Sequence, residues 1–155
     1  MRFTADPTRR LLLILLGLAL TGALYLRFFH YAYAGYYGDD AYYIIGARSL
    51  LQGSFSFLNR PQAPPILQYW PGYPLLLAPW AALFPGSLPA LQASSLLFTL
   101  GSLLLLASSF AARLSPPGSA FLLFLCAFNP LTLAYCGSVM AEPAYLLLSL
   151  WAFKL

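Results

Sequence analysis

Charged residues are scarce in this sequence. Eight lysines and arginines and four acids occur in 155 residues, so 8% of the chain is charged and 61% is hydrophobic. A soluble domain of average composition contains about 25% charged residues. The mean hydropathy is +0.74, and because a chain this short leaves many residues at its surface, much of that surface must face lipid. The composition therefore predicts an integral membrane protein.

The basic residues and cysteines are too dispersed for two common kinds of site. Arg9 and Arg10 are the only adjacent basic pair, whereas nucleic-acid binding requires a clustered basic surface. Cys126 and Cys136 lie in apolar sequence without a CxxC motif or a Cys/His cluster. We therefore expect no nucleic-acid partner and no zinc site, and we interpret the basic residues as flanks of membrane helices.

Long apolar runs predict an all-α membrane protein with about four transmembrane helices in a single domain over residues 1–155. The four spans are predicted at residues 11–28, 88–112, 119–137 and 143–155. A kink is expected at Asn129–Pro130. The last run covers only about 13 residues, too few to cross the bilayer. We therefore expect an incomplete fourth span and interpret the chain as the N-terminal part of a longer protein.

The first apolar run also has a competing interpretation. Ala32-Tyr33-Ala34 has the small-residue pattern of a signal-peptide cleavage site. Arg27, Phe28, Phe29 and His30 separate that pattern from the apolar run. The rest of the chain is also too hydrophobic for a secreted domain. We therefore favour a membrane span over a cleaved signal peptide.

Residues 29–87 differ in composition and form a predicted outer loop with short interfacial amphipathic helices. Asp39 is expected to cap a helix that starts at Asp40 and runs to about residue 52. Prolines interrupt residues 68–85, which predicts a broken helix at the membrane interface. Its aromatic side chains are expected in the interfacial belt; they are Trp70, Tyr73 and Trp80.

The positive-inside rule gives the predicted topology. With the N-terminus in the cytoplasm, the inner face carries five basic residues and the outer face three. The inner residues are Arg2, Arg9, Arg10, Arg113 and Lys154. Asp39, Asp40 and Glu142 then share the outer face and are the only acids beyond Asp6. Because the chain contains so few charges, their common side indicates a functional site.

Each candidate site residue has a structural interpretation as well as a functional one. The sequence alone does not decide between the two. Asp39 and Asp40 are a helix cap or, alternatively, a general base or metal ligand. Glu142 complements a helix dipole or completes a site with them. Arg48 and Arg60 contact headgroups by snorkelling or bind a lipid phosphate. The aromatic stripe that ends at Tyr43 is first a membrane belt and secondarily a surface for sugar stacking.

The order of several short motifs gives the chain a family resemblance. A basic N-terminus and an apolar run precede the motifs Gly38–Tyr43, Ala47–Gly53, Pro64-Pro65 with Tyr69–Leu75, Asn129-Pro130 and Ser138–Pro143. In order, spacing and predicted sidedness, this resembles the N-terminal part of the multi-spanning C-type glycosyltransferases that use polyprenyl-phosphate-linked sugars. Protein O-mannosyltransferases and lipid A aminoarabinose transferases belong to that group. The resemblance extends from about Arg10 to the end of the chain.

The resemblance implies inverting transfer of a sugar from a lipid-linked donor to an acceptor hydroxyl, on the outer face of the inner (plasma) membrane. Asp39 or Asp40 occupies the position of the family's general base, and which of the two acts stays open because some relatives have Asp-Glu there. Glu142 matches a second acid, for metal binding or acceptor positioning. Arg48, Arg60 and Tyr43 are the candidate substrate contacts.

The expected partners and cofactor follow from the same resemblance. Membrane lipid and the polyprenyl-phosphate sugar are the implied partners. A divalent cation held by Asp40 and Glu142 is the candidate cofactor. The family's later spans carry part of the donor groove, so residues 1–155 alone are expected to lack a complete site.

Two other classes of protein are alternatives to the enzyme. A non-enzymatic multi-spanning subunit would pack against a larger partner, although such a subunit has no need for three acids on one face. A transporter would place acids at mid-depth within its spans, and the predicted spans contain none. Further spans downstream of Leu155 would favour the enzyme.

Overall fold

The computed structural model describes residues 7–28, 34–110 and 113–154, and these ranges are mainly helical. The helices are α1 Pro7–Tyr25, α2 Asp39–Leu50, α3 Gly72–Leu83, α4 Leu88–Phe110, α5 Pro116–Ala127, α6 Pro130–Cys136 and α7 Glu142–Lys154. A 3-10 turn, Leu26–Phe28, continues α1. In these ranges the only β pairing is an isolated bridge between Ser56 and Pro65. The all-α prediction is therefore confirmed.

Helix α4 lies at the centre of the structure and packs against α1, α3, α5, α6 and α7. Its buried face carries small hydroxyl side chains that bond to the helix's own carbonyls. Ser94 donates to Leu91 O at 2.6 Å and Thr99 to Ser95 O at 2.8 Å. These polar groups are therefore satisfied without a partner helix. Gly101 also allows a close approach of α7, since a Cβ there would lie 3.1 Å from Leu147.

The prediction of about four transmembrane helices is wrong. Among the described residues, only Leu88–Phe110 is by itself long and apolar enough to cross a membrane. The apolar part of α1, Leu12–Tyr25, and the 13-residue helix α7 are each only about 20 Å long. The hydrocarbon core is about 30 Å thick. Apolar composition was therefore a poor guide to helix length.

The predicted third span also differs from expectation. Pro116–Ala127 and Pro130–Cys136 are separate helices bent by 61°, and they amount to at most one further span if taken together. The break falls at Asn129-Pro130, where a kink was predicted. The Asn129 side chain accepts from Leu131 N at 2.9 Å and Pro130 occupies the first turn, so a new helix begins there.

Helices α2 and α3 pack closely and carry the candidate site. The helix predicted over residues 40–52 is present as Asp39–Leu50. The predicted interfacial helix is α3, with Pro79 inside it. Tyr73 is not in an aromatic belt, however, because it is 8% exposed and lies in the core between α2, α3 and α4. Trp70, one turn earlier, is 89% exposed.

Gly46 fixes the close approach of α2 to α3. A Cβ at this position would lie 2.9 Å from Cε2 of Phe55 and 3.2 Å from Cγ of Pro74. We expect Gly46→Ala to destabilise the protein by about 1–2 kcal/mol, because overpacking outweighs the gain in helix propensity. Thermal unfolding in detergent measures the effect.

Gly17→Ala is the matched control. Gly17 also lies in a helix, but a Cβ there would have nothing within 4 Å. We expect this change to leave stability unchanged or raise it slightly. Equal effects of the two substitutions would contradict the close packing of α2 on α3.

Candidate functional site

A short glycine-rich turn precedes α2 and sets the direction of its first residues. Gly35 and Gly38 have φ angles of 99° and 83°, a region that favours glycine. Gly38 N–H donates to Gly35 O at 3.3 Å, which closes the turn. Helix α2 begins immediately afterwards at Asp39. Two adjacent carboxylates are thereby placed in one helical first turn.

Asp40 is a structural residue of this turn. Its side chain is 4% exposed. Oδ2 accepts from Gly35 N and Oδ1 from Ala41 N, each at 2.9 Å. The sequence predicted that Asp39 would cap the helix, and this was wrong: Gly38 stands at the N-cap position, with no side-chain cap hydrogen bond. Asp40 instead satisfies two backbone donors, one of them in the preceding turn.

Asp39 has a different environment, although it is the next residue along the chain. It is partly exposed, and its Oδ1 accepts from the Tyr69 hydroxyl at 2.6 Å. That hydrogen bond is the main reason why the pKa of Tyr69 is raised to about 12. Within the described ranges Oδ2 has no hydrogen-bond partner. Asp39 therefore keeps one carboxylate oxygen available.

The loop between α2 and α3 returns the chain to Asp39. Phe57 N donates to Pro64 O at 2.8 Å and Ile66 N donates to Phe55 O at 3.0 Å. Phe57 and Ile66 are both buried. This folded-back loop places Tyr69 beside a carboxylate that precedes it by 30 residues.

A row of aromatic rings connects the site to the central helix. Tyr69 stacks on Tyr42 with centroids 4.8 Å apart and meets Tyr43 edge-on at 5.6 Å. Tyr43 in turn meets Tyr73 edge-on at 4.9 Å. The Tyr73 hydroxyl lies 3.3 Å from Ser95 Oγ on α4. The sequence analysis named Tyr43 as a substrate contact, and it placed Tyr42 in the aromatic stripe and Tyr69 in a family motif. It did not predict that Tyr69 would donate to Asp39.

Glu142 lies close enough to Tyr43 to act on it electrostatically. It is exposed in the first turn of α7. The pKa of Tyr43 is raised, first by burial and then by the negative charges of Asp39 and Glu142. Both carboxylates therefore act on one phenol.

The candidate metal pair, Asp40 and Glu142, does not fit a divalent cation in this arrangement. Both Asp40 oxygens are used by backbone N–H groups. In the part of the chain that the structure describes, no three His, Cys, Asp or Glu residues come together as a metal-binding group. Asp40 is therefore not treated as a metal ligand.

The two candidate arginines have different positions. Arg48 is exposed in the last turn of α2, so it lies about 13 Å along the helix axis from Asp39. Arg60 is exposed at the tip of the loop, with its guanidinium carbon 4.2 Å from the ring centroid of Phe57. Phe57 meets Tyr42 edge-on at 5.6 Å. The structure thus places Arg60, but not Arg48, on the aromatic row.

Comparison of this chain with protein-family models, with curated proteins and with solved structures finds no match. No relative therefore assigns a role to any residue of the site. The chemistry has to be inferred from the residues themselves and from their geometry.

The two aspartates are expected to differ in their effect on stability. We expect Asp40→Asn to lower the free energy of unfolding by about 1–3 kcal/mol, because a buried amide has one accepting oxygen and cannot accept from both N–H groups in place of the two carboxylate oxygens. Asp39→Asn is expected to change stability by less than about 0.5 kcal/mol, as is usual for partly exposed positions. Thermal unfolding in detergent compares the two variants, and equal losses would contradict the assignment.

Proposed function

We propose that the protein is a membrane glycosyltransferase that transfers a sugar from a polyprenyl-phosphate-linked donor to an acceptor hydroxyl, with Asp39 as the general base. The observation that carries the proposal is the difference between the adjacent acids. Asp40 is buried and uses both carboxylate oxygens on backbone N–H groups. Asp39 is partly exposed and has Oδ2 free of described partners. Only Asp39 can accept a proton without breaking the turn.

The proposed reaction needs neither a metal nor a further reactant. Asp39 Oδ2 takes the proton from the acceptor hydroxyl as the hydroxyl oxygen attacks the anomeric carbon. A new carbon–oxygen bond forms there while the bond to the donor phosphate breaks, and the polyprenyl phosphate leaves as an anion. The proton is later released from Asp39 to water. Attack opposite the leaving group inverts the anomeric configuration.

Three neighbouring residues are proposed to hold the substrates. Glu142 is exposed and acts electrostatically on Tyr43, and its carboxylate can accept hydrogen bonds from sugar or acceptor hydroxyls. Tyr43 offers a ring edge and a hydroxyl. Arg60 is exposed at the other end of the row, where its guanidinium can bind the donor phosphate. Arg48 is left out because it lies one helix length away.

The proposed location is the inner (plasma) membrane. Helix α4 supplies a span of 23 residues. The residues of the site, Asp39 and Tyr69, precede its N-terminal end in the sequence. Leu67 and Trp70 beside Tyr69 are 85% and 89% exposed, a composition typical of the membrane interface. The site would then lie at the membrane surface, where a lipid-linked donor presents its sugar.

A non-enzymatic subunit remains the second candidate. Helix α7 exposes large apolar side chains, and Tyr145 and Phe153 are 74% and 93% exposed. Such a surface is suited to packing against another protein or further helices. This function predicts association without sugar transfer, so the assay below separates the two candidates.

The proposal is tested by a transfer assay in membranes from cells that express the protein. We expect Asp39→Asn to lower transfer from a radiolabelled polyprenyl-phosphate sugar by at least about 100-fold, the usual contribution of a general base. Arg48→Gln, on the same helix but distant from Asp39, is the control and should retain the parental rate. Parental rates in Asp39→Asn would contradict the proposed base, and no transfer by the parent with any such donor would favour the subunit.

The membrane location is tested by cysteine labelling in a background without Cys126 and Cys136. Asn59 and Pro117 are exposed and lie on opposite sides of α4 in sequence. We expect a membrane-impermeant thiol reagent to label Asn59→Cys in intact cells and Pro117→Cys only after lysis, because α4 separates them. Labelling of both from the same side would contradict a span at Leu88–Phe110.

A further inference from the structure

The hydrogen bond from Tyr69 to Asp39 is short and joins distant parts of the chain. The two oxygens are 2.6 Å apart across 30 residues. This distance lies within the range of about 2.5–2.7 Å for a hydroxyl that donates to an ionised carboxylate. Asp39 lies in the first turn of α2, yet no described backbone N–H donates to it. Tyr69 is thus the one described group that holds this carboxylate.

The Tyr69 ring is itself held in place. Tyr42 stacks on it with an interplanar angle of 24°, and Tyr43 meets it at 77°. The loop before it is anchored by the buried side chains of Phe57 and Ile66. A ring contacted from two directions has little freedom to move its hydroxyl away from Asp39.

The bond fixes which oxygen of the carboxylate is engaged. The terminal torsion of an aspartate is broad and nearly two-fold, so a free side chain would exchange its two oxygens. A donor on Oδ1 restricts that exchange and leaves Oδ2 without a partner among the described residues. With its pKa raised to about 12, the Tyr69 hydroxyl stays protonated and able to donate across the physiological pH range.

We infer that Tyr69 is a positioning residue, which holds Oδ1 of Asp39 and so leaves Oδ2 for the acceptor hydroxyl. The catalytic role of Tyr69 rests on the proposed glycosyltransferase function. The orientation of the Asp39 carboxylate does not, and it can be measured without any substrate.

The first test needs no activity. The chain contains three aspartates, so protein labelled with ¹³C-aspartate gives three side-chain carboxyl signals, and Asp39→Asn identifies that of Asp39. We expect the Asp39 carboxyl signal to move in Tyr69→Phe, because the hydroxyl that donates to Oδ1 is lost and the two oxygens can exchange. Tyr42→Phe is the matched control: its ring stacks on Tyr69 but gives no described hydrogen bond to Asp39, and the signal should keep its parental position.

The second test uses the transfer assay on the same two variants. We expect Tyr69→Phe to lower kcat roughly tenfold, as for loss of one hydrogen bond to a charged group, with the KM for the lipid-linked donor unchanged. Tyr42→Phe should retain the parental kcat and KM.

The outcomes separate the two proposals. An unchanged Asp39 carboxyl signal in Tyr69→Phe overturns the positioning role, and so does an unchanged kcat in a Tyr69→Phe variant that transfers sugar. If the signal moves in Tyr69→Phe but the parent transfers no sugar, the hold of Tyr69 on Asp39 is supported and the glycosyltransferase function is overturned instead.

Discussion

Two backbone N–H groups share the buried carboxylate of Asp40, and the candidate site depends on this interaction. The Gly35 N–H belongs to the turn and the Ala41 N–H to the first turn of α2. One side chain therefore joins the turn to the helix and satisfies two part-buried donors. Both Asp40 oxygens are engaged in this way, whereas Oδ2 of Asp39 has no partner among the described residues. The difference between the two adjacent acids follows from the burial of Asp40.

Contacts among the tyrosine side chains connect the site to the rest of the molecule. Tyr69 donates to Asp39, Tyr43 is acted on by the charges of Asp39 and Glu142, and Tyr73 reaches Ser95 on α4. Each ring is contacted by the next, so the site is supported by side chains from α2, α3 and α4 rather than by the loop alone. A carboxylate supported in this way is held in one orientation, as the proposed general base requires.

The sequence was a good guide wherever short-range chemistry decides the structure. The apolar run of α4, the helix after Gly38 and the break at Asn129–Pro130 were all predicted, because run length, glycine and proline act locally. The number of spans was overestimated, since capping and helix breaks shorten apolar runs that composition alone joins together. Which aspartate holds the turn could not be predicted, because it depends on where the Gly35 N–H points in three dimensions. The role of Tyr69 was missed for the same reason, as it comes from a loop 30 residues away.

The central claim is that Asp40, and not Asp39, holds the turn from which Asp39 projects. Amide hydrogen exchange at Gly35 and Ala41, measured in the parent and in Asp39→Asn and Asp40→Asn, tests this claim most directly. The account predicts that both amides are protected in the parent and in Asp39→Asn, and that both exchange faster in Asp40→Asn, since their common acceptor has lost one of its two accepting oxygens. Unchanged protection in Asp40→Asn, or loss of protection in Asp39→Asn, would contradict it.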